Sequence, residues 1–157
     1  MSKLIDDICR IAYYPLSPFA SVALHNSRRV RVLVISSSNI LLLRTRLGHQ
    51  KWSTPGGGVS KNENPIDAAV RELYEETGIK VKPDVLNFIG EKRLPEDKLW
   101  PRYDALFYVV KLSTTQKTKT HSKYEIIDTK WFKISELPDR LGLSVTESLK
   151  LYNKSAK

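Results

Sequence analysis

The feature that most restricts this chain is a helix with both ends written into the sequence, just downstream of a run of glycines. Asn64 is a capping residue, Pro65 suits the first helical position, and Asp67 lies at the positive end of the helix dipole. Gly78 supplies the stop, because glycine readily enters the left-handed conformation that ends a helix. Between them Ile66, Ala69, Val70, Leu73 and Thr77 recur at i, i+3, i+4, i+7 spacing, which gives one stripe for burial. Glu72, Glu75 and Glu76 stand at i, i+3 and i+4 and project from an arc beside that stripe. Like charges at this spacing repel, and a helix built for stability alone would place a lysine or arginine among them. A hard divalent cation takes oxygen ligands and would offset the repulsion. Upstream, Trp52-Ser53-Thr54-Pro55-Gly56-Gly57-Gly58 lets the backbone approach a ligand closely, although a triple glycine taken alone reads as a flexible loop.

The elements around this helix alternate. Residues 30–35 and 40–43 are β-branched and mostly apolar runs, the first holding Arg31, joined by a turn at 36–39, which predicts a hairpin. Their nearly continuous apolar character predicts two central strands covered on both faces. Further strands are expected at 85–90, 103–112 and 129–132, with a polar, Lys-rich mobile loop over 112–122. Ser144 and Glu147 read as a capping box for a last helix, in which Val145, Leu149 and Tyr152 share a face. This order predicts an α/β fold in which helices cover a mixed sheet. Residues 28–157 are expected to form that domain. Residues 1–27 are expected to be an N-terminal extension packed on or near the core, where Leu4, Ile5, Ile8 and Ile11 suggest a short amphipathic helix broken by Pro15 and Pro18.

Composition narrows the class. A chain of 157 residues, 41% hydrophobic and 27% charged, suits one globular domain. No apolar run is long enough to cross a bilayer, and the opening MSKLIDDICR carries two aspartates without the apolar stretch of a signal peptide. The expected compartment is the cytoplasm. Cys9 is the single cysteine, so no intrachain disulfide forms, and it reads as a small buried hydrophobe. The net charge of +9 favours polyanionic partners, yet four glutamates fall within residues 63–76. A local carboxylate cluster in a basic field suits metal-assisted phosphate chemistry.

The spacing Gly57, five residues, Glu63, seven residues, then Arg71-Glu72-Leu73-Tyr74-Glu75-Glu76-Thr77-Gly78-Ile79 resembles the Nudix box at every specified position. With roughly 6–7% background per required residue, a chance match is on the order of one in ten million, which sets aside an ordinary acidic surface helix. The resemblance implies an α/β/α sandwich and hydrolysis of a nucleoside diphosphate derivative by water attack on phosphorus. It implies that Glu72, Glu75 and Glu76 bind Mg²⁺, with Mn²⁺ as a substitute, and that Gly57 offers its backbone carbonyl. Glu63 and Arg71 match residues that orient those carboxylates. Glu125 is the candidate for the further glutamate that many members bring from a distal loop as ligand or general base, and the family leaves open whether it or Glu72 takes the proton.

Substrate contacts are sought in basic and aromatic residues outside the box. Arg44 and Arg46, two apart on a strand end, can each hold a phosphate. Trp52 can stack on a base or serve packing, and Trp100, Pro101, Arg102 and Tyr103 form a second basic and aromatic group. Gly58 replaces the lysine common in the branch that removes oxidised guanine triphosphates, and Pro95 lies near a proline of the ADP-ribose branch. A nucleotide sugar, ADP-ribose, a nucleoside triphosphate, a dinucleoside polyphosphate or an RNA 5′ end all fit. Lys111, Lys117, Lys119 and Lys123 lack interleaved aromatics, so a solubilising loop is preferred to an RNA contact. A nucleotide sensor without catalysis is the competing class, against which the complete box argues. The sequence sets no oligomeric state.

Overall fold

The computed structural model describes residues 27–46, 50–94 and 102–155. The expected N-terminal helix, Cys9, Pro95, Trp100 and Pro101 lie outside them. Five strands, β1 (Arg28–Ser36), β2 (Asn39–Thr45), β3 (Asn87–Leu94), β4 (Tyr103–Leu112) and β5 (Ile126–Lys133), form one sheet in the order β3-β4-β1-β2-β5. The two apolar strands of the sequence are therefore interior ones. The sheet is mixed: β1 runs parallel to β4, and every other pair is antiparallel.

Helix α1 (Pro65–Thr77) covers one face and helix α2 (Leu143–Ser155) the other. Side chains alternate along a strand, so β1 feeds both layers. Val30, Val32 and Val34 pack with Ala69 and Leu73 of α1, while Leu33 and Ile35 pack with Val145 of α2. Both layers are dry, with Val30, Val32, Leu33 and Leu73 fully buried. Among the described residues no helix is long and apolar enough to cross a membrane.

Several local expectations are adjusted. The hairpin closes through Ser37 and Ser38, with Ser36 paired to Asn39 and Ser37 in the left-handed region at φ 52°. The third strand starts later than the sequence suggests, because Pro83 opens a 3₁₀ turn over Pro83–Val85. Ser144 does not cap α2. The helix begins at Leu143, and the Ser144 hydroxyl instead accepts from the Thr54 N–H at 3.3 Å. Glu147 pairs with Lys92 and Lys150. The lysine-rich segment is laced to the end of α1: Lys119 N–H donates to the Thr77 carbonyl (2.9 Å), and His121 and Ser122 N–H groups donate to that of Glu75 (2.8 and 3.1 Å). Carbonyls that a helix end leaves open take these donors, which ties down a loop expected to move.

One departure from a regular sheet positions everything that follows. The β1–β2 register pairs are confined to the turn, Ile35 with Ile40 and Ser36 with Asn39. Farther from the turn the strands splay, and the chain from Trp52 to Val59 enters the gap. Leu43 and Ser53 exchange hydrogen bonds of 3.0 and 2.9 Å, Val32 N–H donates to the Pro55 carbonyl (2.8 Å), and Val30 N–H to that of Gly57 (2.9 Å). Gly56 sits at φ 138°, and a Cβ there would lie 2.1 Å from the Val30 carbonyl oxygen. Strained backbone and a backbone clash together should make Gly56→Ala lose about 2 kcal/mol or more of unfolding free energy. Urea denaturation checks this, and an unchanged midpoint would contradict it.

Candidate active site

Helix α1 presents its carboxylates to the inserted glycine loop. Asn64 caps the helix by accepting from Ile66 N–H at 3.2 Å, and Gly78 ends it at φ 75°, its N–H donating to the Tyr74 carbonyl. Ala68, Ala69, Leu73 and Thr77 are buried, and Glu76 is buried with them. The three box carboxylates therefore occupy three environments. Glu75 is the most open, with 45% of its side chain exposed, whereas Glu72 is 15% exposed and Glu76 as a residue 4%.

Arg71 joins this arc to the loop. Its Nε and Nη2 donate to the two oxygens of Glu63 at 2.8 and 3.0 Å, a two-pronged pair. Nη2 also reaches the Gly58 carbonyl at 3.0 Å, and Nη1 donates to Glu72 at 2.8 Å and Glu75 at 3.4 Å. Glu63 accepts from Ser60 N–H at 2.8 Å as well. The hydrogen bonds from Arg71, then that from the Ser60 N–H, hold the Glu63 carboxyl down at about 2, and its partner raises the Arg71 guanidinium.

Burial sets the other carboxyls. It raises Glu72 above the usual carboxylate range, against the pull of Arg71, and Glu75 and Glu125 add like charge. Glu76 is pushed up to about 8 by burial, although its Oε2 accepts from Gly56 N–H at 2.7 Å and Arg31 lies near. Glu72 lies against Gly57, where a Cβ would come within 2.4 Å of a Glu72 carboxylate oxygen. Glycine at 57 is thus the residue that lets that carboxylate reach the loop. The Gly57 carbonyl accepts from Val30, which leaves its second lone pair.

An all-oxygen donor set, with Glu72 and Glu76 raised chiefly by burial, is suited to a hard divalent cation. Among the described residues no three acidic, histidine or cysteine side chains already converge on one point. Arg71 stands between Glu72 and Glu75, and Glu76 is turned onto Gly56.

The other residues singled out in the sequence fall in two places. Glu125 is exposed, and its charge is felt by both Glu72 and Glu76. Its segment is held by Arg46, whose backbone N–H donates to the Glu125 carbonyl (2.6 Å) and whose Nε donates to that of Tyr124 (3.0 Å). Arg46 is accordingly buried, at 7% exposure, which differs from an open strand end. Arg44 and Trp52 lie on the α2 face. The Arg44 guanidinium sits 4.8 Å from the indole centroid and pairs with Asp128 at 3.2 Å, and Trp52 meets the Phe132 ring edge-on. Arg102 is exposed just before β4.

Sequence reasoning missed Arg29 and Arg31. Both lie on β1, on the α2 face, and both stand over the ring of Tyr103 at 5.5 and 5.6 Å. Arg31 Nη1 donates to the Gly56 carbonyl at 2.9 Å and Nη2 to the Tyr103 hydroxyl at 3.2 Å. The signal was available: two arginines at i, i+2 interrupt an otherwise apolar strand.

Residues 25–152 match the NUDIX domain family, so the chain belongs to that family. A stretch of 60 residues is 43% identical to an RNA pyrophosphohydrolase of Bartonella henselae, covering 38% of this chain and 29% of that one. The chain spans about a third of the length of the curated relatives it matches. The fold is similar to a MutT NUDIX hydrolase from Burkholderia pseudomallei, with a TM-score of 0.72, 19% identity, and 81% and 98% of the two chains covered. It is also similar to a bifunctional NMN adenylyltransferase/ADP ribose pyrophosphatase from Francisella tularensis, crystallised with AMP and a manganese ion. There the TM-score is 0.71 at 22% identity, over 94% of this chain and 46% of that one. At these identities the likeness is one of fold. The family works with a divalent cation.

The raised Glu76 carboxyl has a consequence for metal-free protein. Its proton stays on in the folded chain up to about pH 8 but leaves the unfolded chain near the ordinary value of 4.5. Folding therefore takes up a proton in this window. The contribution is complete below the ordinary value and is lost as pH rises through the folded one. Thermal unfolding in EDTA should show the midpoint falling across that window, with a flatter slope in Glu76→Gln. Equal slopes in the two proteins would contradict it.

Proposed function

We propose that the chain is a metal-dependent pyrophosphohydrolase that cleaves the diphosphate linkage of a nucleoside diphosphate derivative in the cytoplasm. The working ion is Mg²⁺, with Mn²⁺ as a substitute. The observation that carries this reading is the oxygen-rich arc of Glu72, Glu75 and Glu76 set against the Gly56–Gly57 backbone and braced by Arg71. Those three carboxylates, with the second lone pair of the Gly57 carbonyl, would hold the ion. When bound, it neutralises phosphate oxygens, orients the diphosphate and makes a water easier to deprotonate.

The chain's own groups account for the rest of the reaction. Glu63 engages two nitrogens of Arg71 and so keeps that guanidinium from collapsing fully onto Glu72 and Glu75. In the hydrolysis a water oxygen bonds to phosphorus, the bridging P–O bond breaks, and a carboxylate receives the water's proton. Glu72 and Glu125 are the two candidates, since burial and neighbouring charge raise the first and the second stands within its field. Arg46 holds the segment that carries Glu125. Arg44, Trp52 and Arg102 are assigned to the nucleotide.

A second reading takes an RNA 5′ end as the substrate, and the identity to an RNA pyrophosphohydrolase favours it. Pyrophosphate released from 5′-triphosphate RNA, with salt-sensitive binding, would select it over a soluble nucleotide. Under either reading Glu75→Gln and Glu76→Gln should keep the folded state, as read by circular dichroism at neutral pH, and lower kcat about 100-fold or more. A panel of nucleoside diphosphate derivatives and capped or triphosphorylated RNAs, assayed for new phosphate monoesters, measures this. Unchanged turnover in both variants would overturn the assignment.

A further inference from the structure

Among the described residues the buried N–H of Gly57 has no acceptor. Buried backbone N–H groups are almost always paired, because a donor taken from water and left unmet costs free energy. The polar groups around it are engaged. The Gly56 N–H goes to Glu76, the Gly57 carbonyl takes the Val30 N–H, and the Gly58 carbonyl takes Arg71.

The direction of this donor follows from Arg31. Val32 and Val30 hold the carbonyls of Pro55 and Gly57 in the sheet, whereas the carbonyl between them is turned out of it. Gly56, at φ 138°, permits that turn, and Arg31 Nη1 donates to its carbonyl at 2.9 Å from the α2 face. No peptide bond among the described residues is cis, and across a trans peptide the N–H points opposite to the carbonyl. The Gly57 N–H therefore points to the α1 face. Glu72 lies against Gly57 on that side, yet its carboxylate takes its hydrogen bond from Arg71.

Arg31 is well placed to keep this orientation. Its Nη2 donates to the Tyr103 hydroxyl at 3.2 Å, which fixes the far end of the fork. Burial alone would lower the guanidinium, but Tyr103 and then the acidic arc more than offset it, so the group stays charged. A cation on the carbonyl polarises the Gly56–Gly57 peptide and makes its N–H a stronger donor.

We propose that the Gly57 N–H, aimed and polarised by Arg31, donates to a phosphate oxygen of the substrate. Arg31 is then a positioning residue, which acts through one peptide unit and does not touch the substrate itself. This rests on the reading of the carboxylate arc as the place where a cation and a diphosphate are held. A phosphate oxygen suits the donor, because charge that gathers there during hydrolysis strengthens a hydrogen bond already in place.

Amide-resolved NMR reads the donor without turnover. Methylenediphosphonate, whose P–C–P link resists hydrolysis, is titrated with Mg²⁺ into the full chain. At saturation the Gly57 amide proton should lie downfield of its free position, and should move further than those of Gly58 and Val59. In Arg31→Gln that saturated shift should shrink, and the diphosphonate should bind roughly 10-fold more weakly, as when a charge-assisted hydrogen bond is weakened. Arg31→Lys keeps a charge and should recover part of both effects. A residue that merely holds the loop together would lower the thermal midpoint and leave the saturated Gly57 shift as it is in the wild type.

A shift of equal size in Arg31→Gln and wild type would accordingly overturn the proposal. Glu72 and Glu75 amides that respond while Gly57 does not would overturn this inference and leave the hydrolase reading standing. No response at any of these amides would overturn both. If Arg31→Gln does not fold, the wild-type titration and Arg31→Lys decide the question.

Discussion

The insertion of Pro55–Gly57 backbone between β1 and β2 is the constraint on which the rest of the structure depends. It turns a hairpin that pairs only near its turn into a sheet with a seam, filled by hydrogen bonds from Val30 and Val32. No side chain fits at Gly56, where a Cβ would meet the Val30 carbonyl, and one at Gly57 would displace the Glu72 carboxylate. Because the seam is backbone, it offers polar atoms to both layers at once. Glu76 of α1 takes the Gly56 N–H, and Arg31 of β1 gives a proton to the Gly56 carbonyl. The Gly56 peptide thus joins a carboxylate on one face of the sheet to a guanidinium on the other.

Stability is conceded at this junction in several ways. Glu76 is buried far enough to hold its proton near neutrality, burial also raises Glu72, and Arg31 donates to a carbonyl and a phenol with no carboxylate at ion-pair distance among the described residues. Arg71 limits the cost on the acidic side by spreading one guanidinium over Glu63, Glu72 and Glu75. Under the proposed function a divalent cation and a phosphate chain would relieve the remaining charges together, coupling ligand binding to the order of the site. The loop lacing of His121 and Ser122 to the Glu75 carbonyl, with Arg46 behind, extends the same frame to the Glu125 segment.

Much of this was legible in the sequence. Asn64, Pro65 and Gly78 mark the ends of the helix, and the alternation of Ala69 and Leu73 with the glutamates separates the buried stripe from the acidic arc. The spacing from Gly57 to Ile79 identifies the family before any coordinates are considered. Other features depend on contacts that spacing does not encode. Ser144 looks like a cap, but its hydroxyl is claimed by Thr54 from a segment 90 residues away. The lysine-rich stretch looks mobile because its anchors are carbonyls, and open carbonyls at a helix end carry no side-chain signature. Arg31 passed as one polar residue in an apolar strand, since its importance comes from a loop that enters the sheet beside it.

The central claim is that the seam between β1 and β2 is where the cation sits. Paramagnetic broadening by substoichiometric Mn²⁺ in amide-resolved NMR locates the ion without substrate or turnover. The account predicts that the amide signals of Gly57, Gly58, Glu72, Glu75 and Glu76 fade first, while those of Asn153 and Lys154 near the end of α2 persist. Broadening centred on the lysine-rich stretch around Lys117, or spread evenly over the chain, would contradict it.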